Sequence, residues 1–126
     1  MVKEIISTEN APGAIGPYSQ AVKKDTFIFV SGQLPVNPQT DKISEDIKEQ
    51  TTQSLNNVKK VLEAAGASLK DVVKTTVFLT DLSNFSVVNE IYGEFFTGGY
   101  PARSCVEVSK LPKDAGVEIE VIAILE

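Results

Sequence analysis

Apolar and polar positions alternate with a period of two near both ends of the chain and with a period of three to four in two internal stretches, and each change of period marks an element. Residues 2–7 read as a short opening strand. The stretch Asn10-Ala11-Pro12-Gly13-Ala14-Ile15-Gly16-Pro17 follows, and its glycines and prolines predict a shaped loop. Residues 18–22 read as a strand, with Lys23-Lys24-Asp25 as the turn into residues 26–32, a run apolar at consecutive positions like a strand buried from both sides. Beyond a loop around Pro35, Asn37, Pro38 and Asp41, the positions Ile47, Thr51, Leu55, Val58, Leu62 and Ala65 recur every three or four residues. They predict an amphipathic helix with Ser44 as N-cap, Glu45 and Asp46 favouring its dipole and Gly66 stopping it.

Residues 71–80 return to strand alternation through Val73, Thr75, Val77 and Leu79. A second helix starts near Ser83 or Asn84, buries Phe85, Val88, Tyr92 and Phe95 with Phe96 close to the same stripe, and ends before Gly98-Gly99. Pro101 has no N–H for a ladder and opens the next strand, which places Ala102, Ser104, Val106 and Val108 on one face and Arg103, Cys105 and Glu107 on the other. After a turn at residues 111–116, the last strand spans residues 117–125. Val117, Ile119, Val121, Ala123 and Leu125 share one face; the other begins with Glu118 and Glu120 and turns apolar at Ile122 and Ile124.

These elements predict one α+β domain over residues 1–126: a mixed sheet of about six strands with two helices on one face. Two helices cover only one side of such a sheet. Strands 26–32 and 117–125 are largely apolar on both sides, so the uncovered face calls for a partner, most simply a homo-oligomer whose sheets meet.

Composition narrows the chemistry. With no histidine and one cysteine, serine–histidine and cysteine–histidine nucleophile pairs and thiolate metal clusters are excluded. Any reaction must run on carboxylates, arginine, hydroxyls, backbone groups and water, and the expectation is no metal and no cofactor. The net charge of -5, with lysines scattered among acids, disfavours a nucleic-acid partner. No apolar run suits a signal peptide or a membrane span, and a single cysteine suits a reducing cytoplasm, so a cytoplasmic protein with no membrane partner is expected.

Six places carry candidate chemistry, the first four with a plainer alternative. Arg103, on a rigid strand, presents a planar, permanently charged fork suited to a carboxylate; the alternative is a rim ion pair. Glu118 opens a largely apolar strand where desolvation would raise its pKa for acid–base work, or it faces solvent as a strand-end glutamate. Asn89 lies on the helix side bearing Phe85, Val88 and Tyr92, where it positions a ligand or acts as a surface amide. Tyr18, directly after Gly-Pro, offers a hydroxyl to a substrate or packs as a rim aromatic. Cys105 shares the Arg103 face and, with no histidine to make a thiolate, is read as a contact rather than a nucleophile. Ser31-Gly32 adds a hydroxyl and a closely approaching backbone.

In order and spacing, Ala11-Pro12-Gly13-Ala14-Ile15-Gly16-Pro17-Tyr18-Ser19-Gln20, Val30-Ser31-Gly32-Gln33, Val88-Asn89-Glu90-Ile91-Tyr92, Pro101-Ala102-Arg103-Ser104-Cys105, Leu111-Pro112 and Val117-Glu118-Ile119-Glu120 resemble the RidA family, also called YjgF or L-PSP, over essentially the whole chain. The resemblance implies a chorismate-mutase-like fold in a homotrimeric barrel assembly with a small 2-imino or 2-oxo acid bound at each subunit interface. It further implies hydrolytic deamination of reactive enamines and imines (2-aminoacrylate, 2-iminopropanoate, 2-iminobutanoate) released by pyridoxal-phosphate dehydratases, giving 2-oxo acids and ammonia. By the same resemblance Arg103 and Glu118 are catalytic and Tyr18, Ser31, Gly32, Asn89 and Cys105 join them in binding substrate. A non-catalytic regulator that binds 2-oxo acids in the same clefts is the alternative. Ribonuclease activity, which the family's naming suggests, fits the acidic charge and missing histidine least.

Overall fold

The alternation of residues 117–125 builds the middle of the sheet. The computed structural model describes residues 2–126. Among these the chain runs β1 (Glu4–Ile6), β2 (Ala21–Lys24), β3 (Phe27–Gln33), β4 (Val36–Asn37), β5 (Lys42–Ile43), α1 (Ile47–Ala64), β6 (Val72–Leu79), α2 (Phe85–Phe95), β7 (Ala102–Glu107) and β8 (Val117–Ile124). Six strands join in the order β1-β2-β3-β8-β6-β7, with β4 and β5 as a separate small hairpin. Pairing is antiparallel except between β6 and β7, which run parallel because α2 carries the chain back across the sheet.

Val117, Ile119, Val121 and Ala123 of β8 face the helices together with Ile28, Val30, Val77 and Leu79, and they pack on Leu55, Val58 and Leu62 of α1 and Val88 and Ile91 of α2. The opposite face carries Phe27, Phe29 and Ile124, all exposed, with the two phenylalanine rings stacked at 6.3 Å. This is the expected α+β layering of two helices on one side of a six-stranded sheet. No helix among the described residues is long and apolar enough to cross a membrane.

Helix α1 carries a second, polar stripe beside its apolar one. Ser54 Oγ donates to the Gln33 carbonyl at 2.7 Å, and Asn57 Nδ2 donates to the carbonyls of Leu34 and Val36, each at 3.0 Å. Gln50 donates to the Ser44 carbonyl and accepts from the Gly116 N–H. These bonds satisfy buried backbone groups and fix the segment leaving β3. The helix ends as expected at Gly66, which takes φ +83° while the Ala67 and Gly66 N–H groups donate to Leu62 and Glu63.

Several boundaries differ from the expectation. The β2–β3 turn falls one step later, because Asp25 accepts a left-handed φ of 54° and leaves Lys23 and Lys24 paired with Ile28 and Phe27. Residues 18–20 belong to the preceding loop rather than to β2. The N-cap of α1 is Asp46, whose carboxylate accepts from the Glu49 N–H, while the Ser44 hydroxyl donates to the Glu49 carboxylate. In β6 an irregularity between Val72 and Lys74 resets the alternation, so Val72 points inward and Val73 is 44% exposed. Phe85 of α2 is 38% exposed, while Ile91 and Phe96 are buried.

Candidate functional site

The residues singled out by sequence fall into two groups. The first is built on β7 and α2. Strand register sets Arg103 beside Thr75 and Cys105 beside Val77, both buried neighbours on the helix side of the sheet. Arg103 thus projects along the sheet edge toward α2, where its Nη1 donates to Asn89 Oδ1 at 2.7 Å. Its guanidinium carbon lies 4.9 Å from the Tyr92 ring centroid and 5.4 Å from that of Phe85. Residues 85, 89 and 92 are four and three apart and share one helix face, so two successive turns of α2 supply all three contacts. Phe85 is 38% exposed beside the cation.

Cys105, next along the same face, is half-buried, and burial pushes its thiol upward in pKa while the Arg103 guanidinium pulls the other way. A thiol so placed stays protonated near neutral pH and is a poor nucleophile.

The second group lines a cleft of about 790 Å³ where β3 ends and β8 begins. Tyr18, Ser31, Gly32 and Glu118 border it, with Leu34 and Val36 from the segment held by α1. The loop bearing Tyr18 is anchored by buried Gln20. Its Oε1 accepts from the Thr8 N–H at 2.7 Å, and its Nε2 donates to the carbonyls of Thr8 at 3.1 Å, Ala11 at 3.4 Å and Pro12 at 2.8 Å. The Ser31 hydroxyl donates to the Ser19 carbonyl at 2.6 Å, which spends its proton and leaves its oxygen free to accept. Gly32 lies against Glu118: a Cβ there would stand 2.7 Å from the Glu118 carboxyl carbon. Burial first, and then the nearby Glu120 carboxylate, push the Glu118 pKa upward.

The two groups do not meet within one chain. Arg103 pairs with Thr75 and Thr75 with the buried Val121, whereas Glu118 pairs with Phe78. Side chains alternate along a strand, so Arg103 and Glu118 leave opposite faces of the sheet. The sequence reading set a carboxyl group near the arginine at a seam between identical chains; within one chain the two lie on opposite faces of the sheet. The structure also supplies two residues the reading passed over as core. Tyr92 lies under the guanidinium, and Thr75 Oγ1 shares a 2.7 Å hydrogen bond with the Tyr92 hydroxyl. Their aromatic and strand spacing looked like ordinary packing, and only the contact with Arg103 distinguishes them.

Comparison with known proteins agrees with this architecture. The family model described as Endoribonuclease L-PSP matches residues 8–125. A RutC family protein of Pyrococcus abyssi is 57% identical over 127 residues, covering 100% of each chain. The 2-iminobutanoate/2-iminopropanoate deaminase of Escherichia coli strain K12 is 53% identical over 126 residues, 98% of each chain. Among solved structures, Escherichia coli TdcF with bound serine superposes with a TM-score of 0.95 at 50% identity, covering 98% of this chain and 99% of that one.

Proposed function

Because this chain belongs to the Endoribonuclease L-PSP family, which includes the RidA deaminases, we propose that it is a 2-iminobutanoate/2-iminopropanoate deaminase acting on small imino acids and their enamine tautomers. The observation that carries the reading is the Arg103 guanidinium held between Asn89 and two aromatic rings, a preformed fork for a carboxylate. The name of the 53% identical relative supplies the substrate class, and the serine bound to TdcF is a carboxylate ligand of comparable size.

We further propose that a site forms where Arg103, Asn89 and Cys105 of one chain meet Tyr18, Ser31, Gly32 and Glu118 of a neighbouring copy, in a homotrimer of chorismate-mutase-like subunits in the cytoplasm. Support comes from the opposite projection of Arg103 and Glu118 and from the apolar sheet face around Phe27, Phe29 and Ile124. An assembly that buries the exposed rings and sets the β7 edge of one copy against the cleft of the next would bring the two halves together.

In this reading Arg103 fixes the substrate carboxylate, and Tyr18 with the oxygen of Ser31 orients the nitrogen. With the imine nitrogen protonated, Glu118 as carboxylate takes a proton from water as the water oxygen bonds to the imine carbon and the C=N π pair moves to nitrogen, giving a neutral carbinolamine. Glu118 then returns that proton to nitrogen. The C–N bond breaks with its electron pair leaving on ammonia, the carbinol hydroxyl passes its proton back to Glu118 to form the 2-oxo acid, and Glu118 releases it to the departing ammonia as ammonium. Water supplies the oxygen and no redox change occurs. A raised carboxyl pKa suits a group that must both take and give a proton near neutral pH.

The test generates 2-iminobutanoate with threonine dehydratase and measures 2-oxobutanoate and ammonia with and without the protein. Acceleration above spontaneous hydrolysis, abolished in Arg103→Lys, is the expected result. Binding of 2-oxobutanoate without acceleration would instead assign a regulatory role to the same residues, and RNA cleavage lost in the Arg103 and Glu118 variants would assign a ribonuclease.

A further inference from the structure

Arg103 sits on an edge strand with solvent on one side, so its pose depends on what lies beneath it. Of the three groups touching its guanidinium, Asn89 is half-buried and Phe85 is partly exposed. Tyr92 alone is locked. It is 4% exposed, its ring is tilted against Phe96 at 4.7 Å, and its hydroxyl is paired with Thr75 Oγ1. Thr75 is fully buried on β6 and is the strand-register partner of Arg103 itself. Arg103, Tyr92 and Thr75 therefore close a triangle in which the arginine's strand neighbour holds the ring on which the arginine lies.

Neither hydroxyl is needed to fill space. Valine is isosteric with threonine and suits a buried strand better, and phenylalanine would pack as tyrosine does. A hydroxyl pair in a core contributes little unless it specifies an orientation, because each group buried without its partner is costly. We propose that Thr75 and Tyr92 are a positioning pair that sets the plane under the Arg103 guanidinium and so preorganises it for the substrate carboxylate. The carboxylate part rests on the function proposed above; the positioning of the guanidinium does not.

The decisive variant is Thr75→Val/Tyr92→Phe, which removes both hydroxyls together and leaves neither orphaned, so the fold is retained where either single change risks it. The first readout needs no substrate. In NMR spectra of the ligand-free protein, the Arg103 Nε–Hε signal is shifted by the aromatic rings and behaves as a rigid group; in the double variant it moves toward that of a free arginine and its order falls. The second is titration with 2-oxobutanoate, for which Kd rises about three- to tenfold in the double variant, and KM for the imine rises with kcat nearly unchanged. Thr75→Ser keeps the hydroxyl and restores both signals. A double variant that unfolds at the wild-type temperature but keeps the wild-type Arg103 resonance would overturn the proposal and leave the pair as plain core packing. A wild-type protein that does not accelerate imine hydrolysis would overturn the enzymatic reading, while the resonance would still decide whether the pair holds the arginine.

Discussion

The carboxyl group of Glu118 occupies the space that a side chain on Gly32 would need. A Cβ built on Gly32 approaches the Glu118 carboxyl carbon to 2.7 Å and its Cγ to 3.0 Å. Gly32 has no left-handed φ to satisfy, so its role is close approach alone. In Gly32→Ala the flexible end of Glu118 swings out of the cleft. Stability changes by no more than about 1 kcal/mol, because the atoms displaced belong to a long side chain with solvent nearby. Imine hydrolysis falls on the order of 100-fold, as expected when a general acid–base group is misplaced. Thermal unfolding alongside kcat/KM separates the two effects.

Glu118 also links activity to pH. Its folded-state pKa is raised, first by burial and then by Glu120. A raised carboxyl binds more protons in the folded than in the unfolded chain, so its contribution to stability is most favourable below the unfolded pKa. That contribution declines as pH climbs to the folded value and is constant above it. Glu118→Gln is therefore more stable than wild type at pH 7, loses that advantage in acid and has lost hydrolysis at every pH. Urea unfolding at pH 4 and pH 7 checks the sign; equal or lower stability of the variant at pH 7 would contradict it.

Asn89 holds Arg103 through one charge-assisted hydrogen bond of 2.7 Å at a partly exposed site. Such a bond is worth about 1 kcal/mol here, below the usual range for charged groups because solvent competes at the exposed arginine, or roughly a fivefold change in an equilibrium. Asn89→Ala should raise KM for the imine about fivefold and leave kcat within a factor of two, because the lost contact orients the anchor and not the reacting atoms. Equal losses in kcat and kcat/KM would place Asn89 at the reacting nitrogen instead.

Local patterns in the sequence carried far. A period of two put Arg103 and Cys105 on one face, and the register with Thr75 and Val77 bears this out. A period of three to four found the buried stripe of α1, and Gly66 marked its end because only a left-handed residue closes that cap. What stayed hidden depends on partners distant in the chain. The Val73 irregularity is invisible until β8 lies alongside. Ser44 and Asp46 both suit an N-cap, and the choice turns on which side chain accepts from the Glu49 backbone N–H. The opposite projection of Arg103 and Glu118 follows from the registers in which β6 pairs with β7 on one side and β8 on the other, which no local pattern encodes.

Gln20 ties the loop of residues 8–12 by one accepted and three donated hydrogen bonds. Gln20→Glu keeps the shape but cannot donate to the carbonyls of Thr8, Ala11 and Pro12, and it buries a charge. It should destabilise by roughly 2–4 kcal/mol, more than Gln20→Met, which removes donor and acceptor without adding charge. Hydrogen exchange is expected to speed up first at the amides of residues 8–18, before the core strands respond.

The split between half-sites makes the strongest demand on the assembly. If each site takes Arg103 from one chain and Glu118 from a neighbour, Arg103→Lys and Glu118→Gln are each inactive alone yet complement one another. Statistical mixing after joint unfolding and refolding gives any one site an intact arginine half the time and an intact glutamate half the time. About a quarter of wild-type activity should then return. Were both residues of a site drawn from one chain, every site would lack one or the other and mixing would restore nothing. The same experiment run without unfolding sets the exchange rate of subunits, and a chain carrying both substitutions, mixed with wild type, serves as the dilution control.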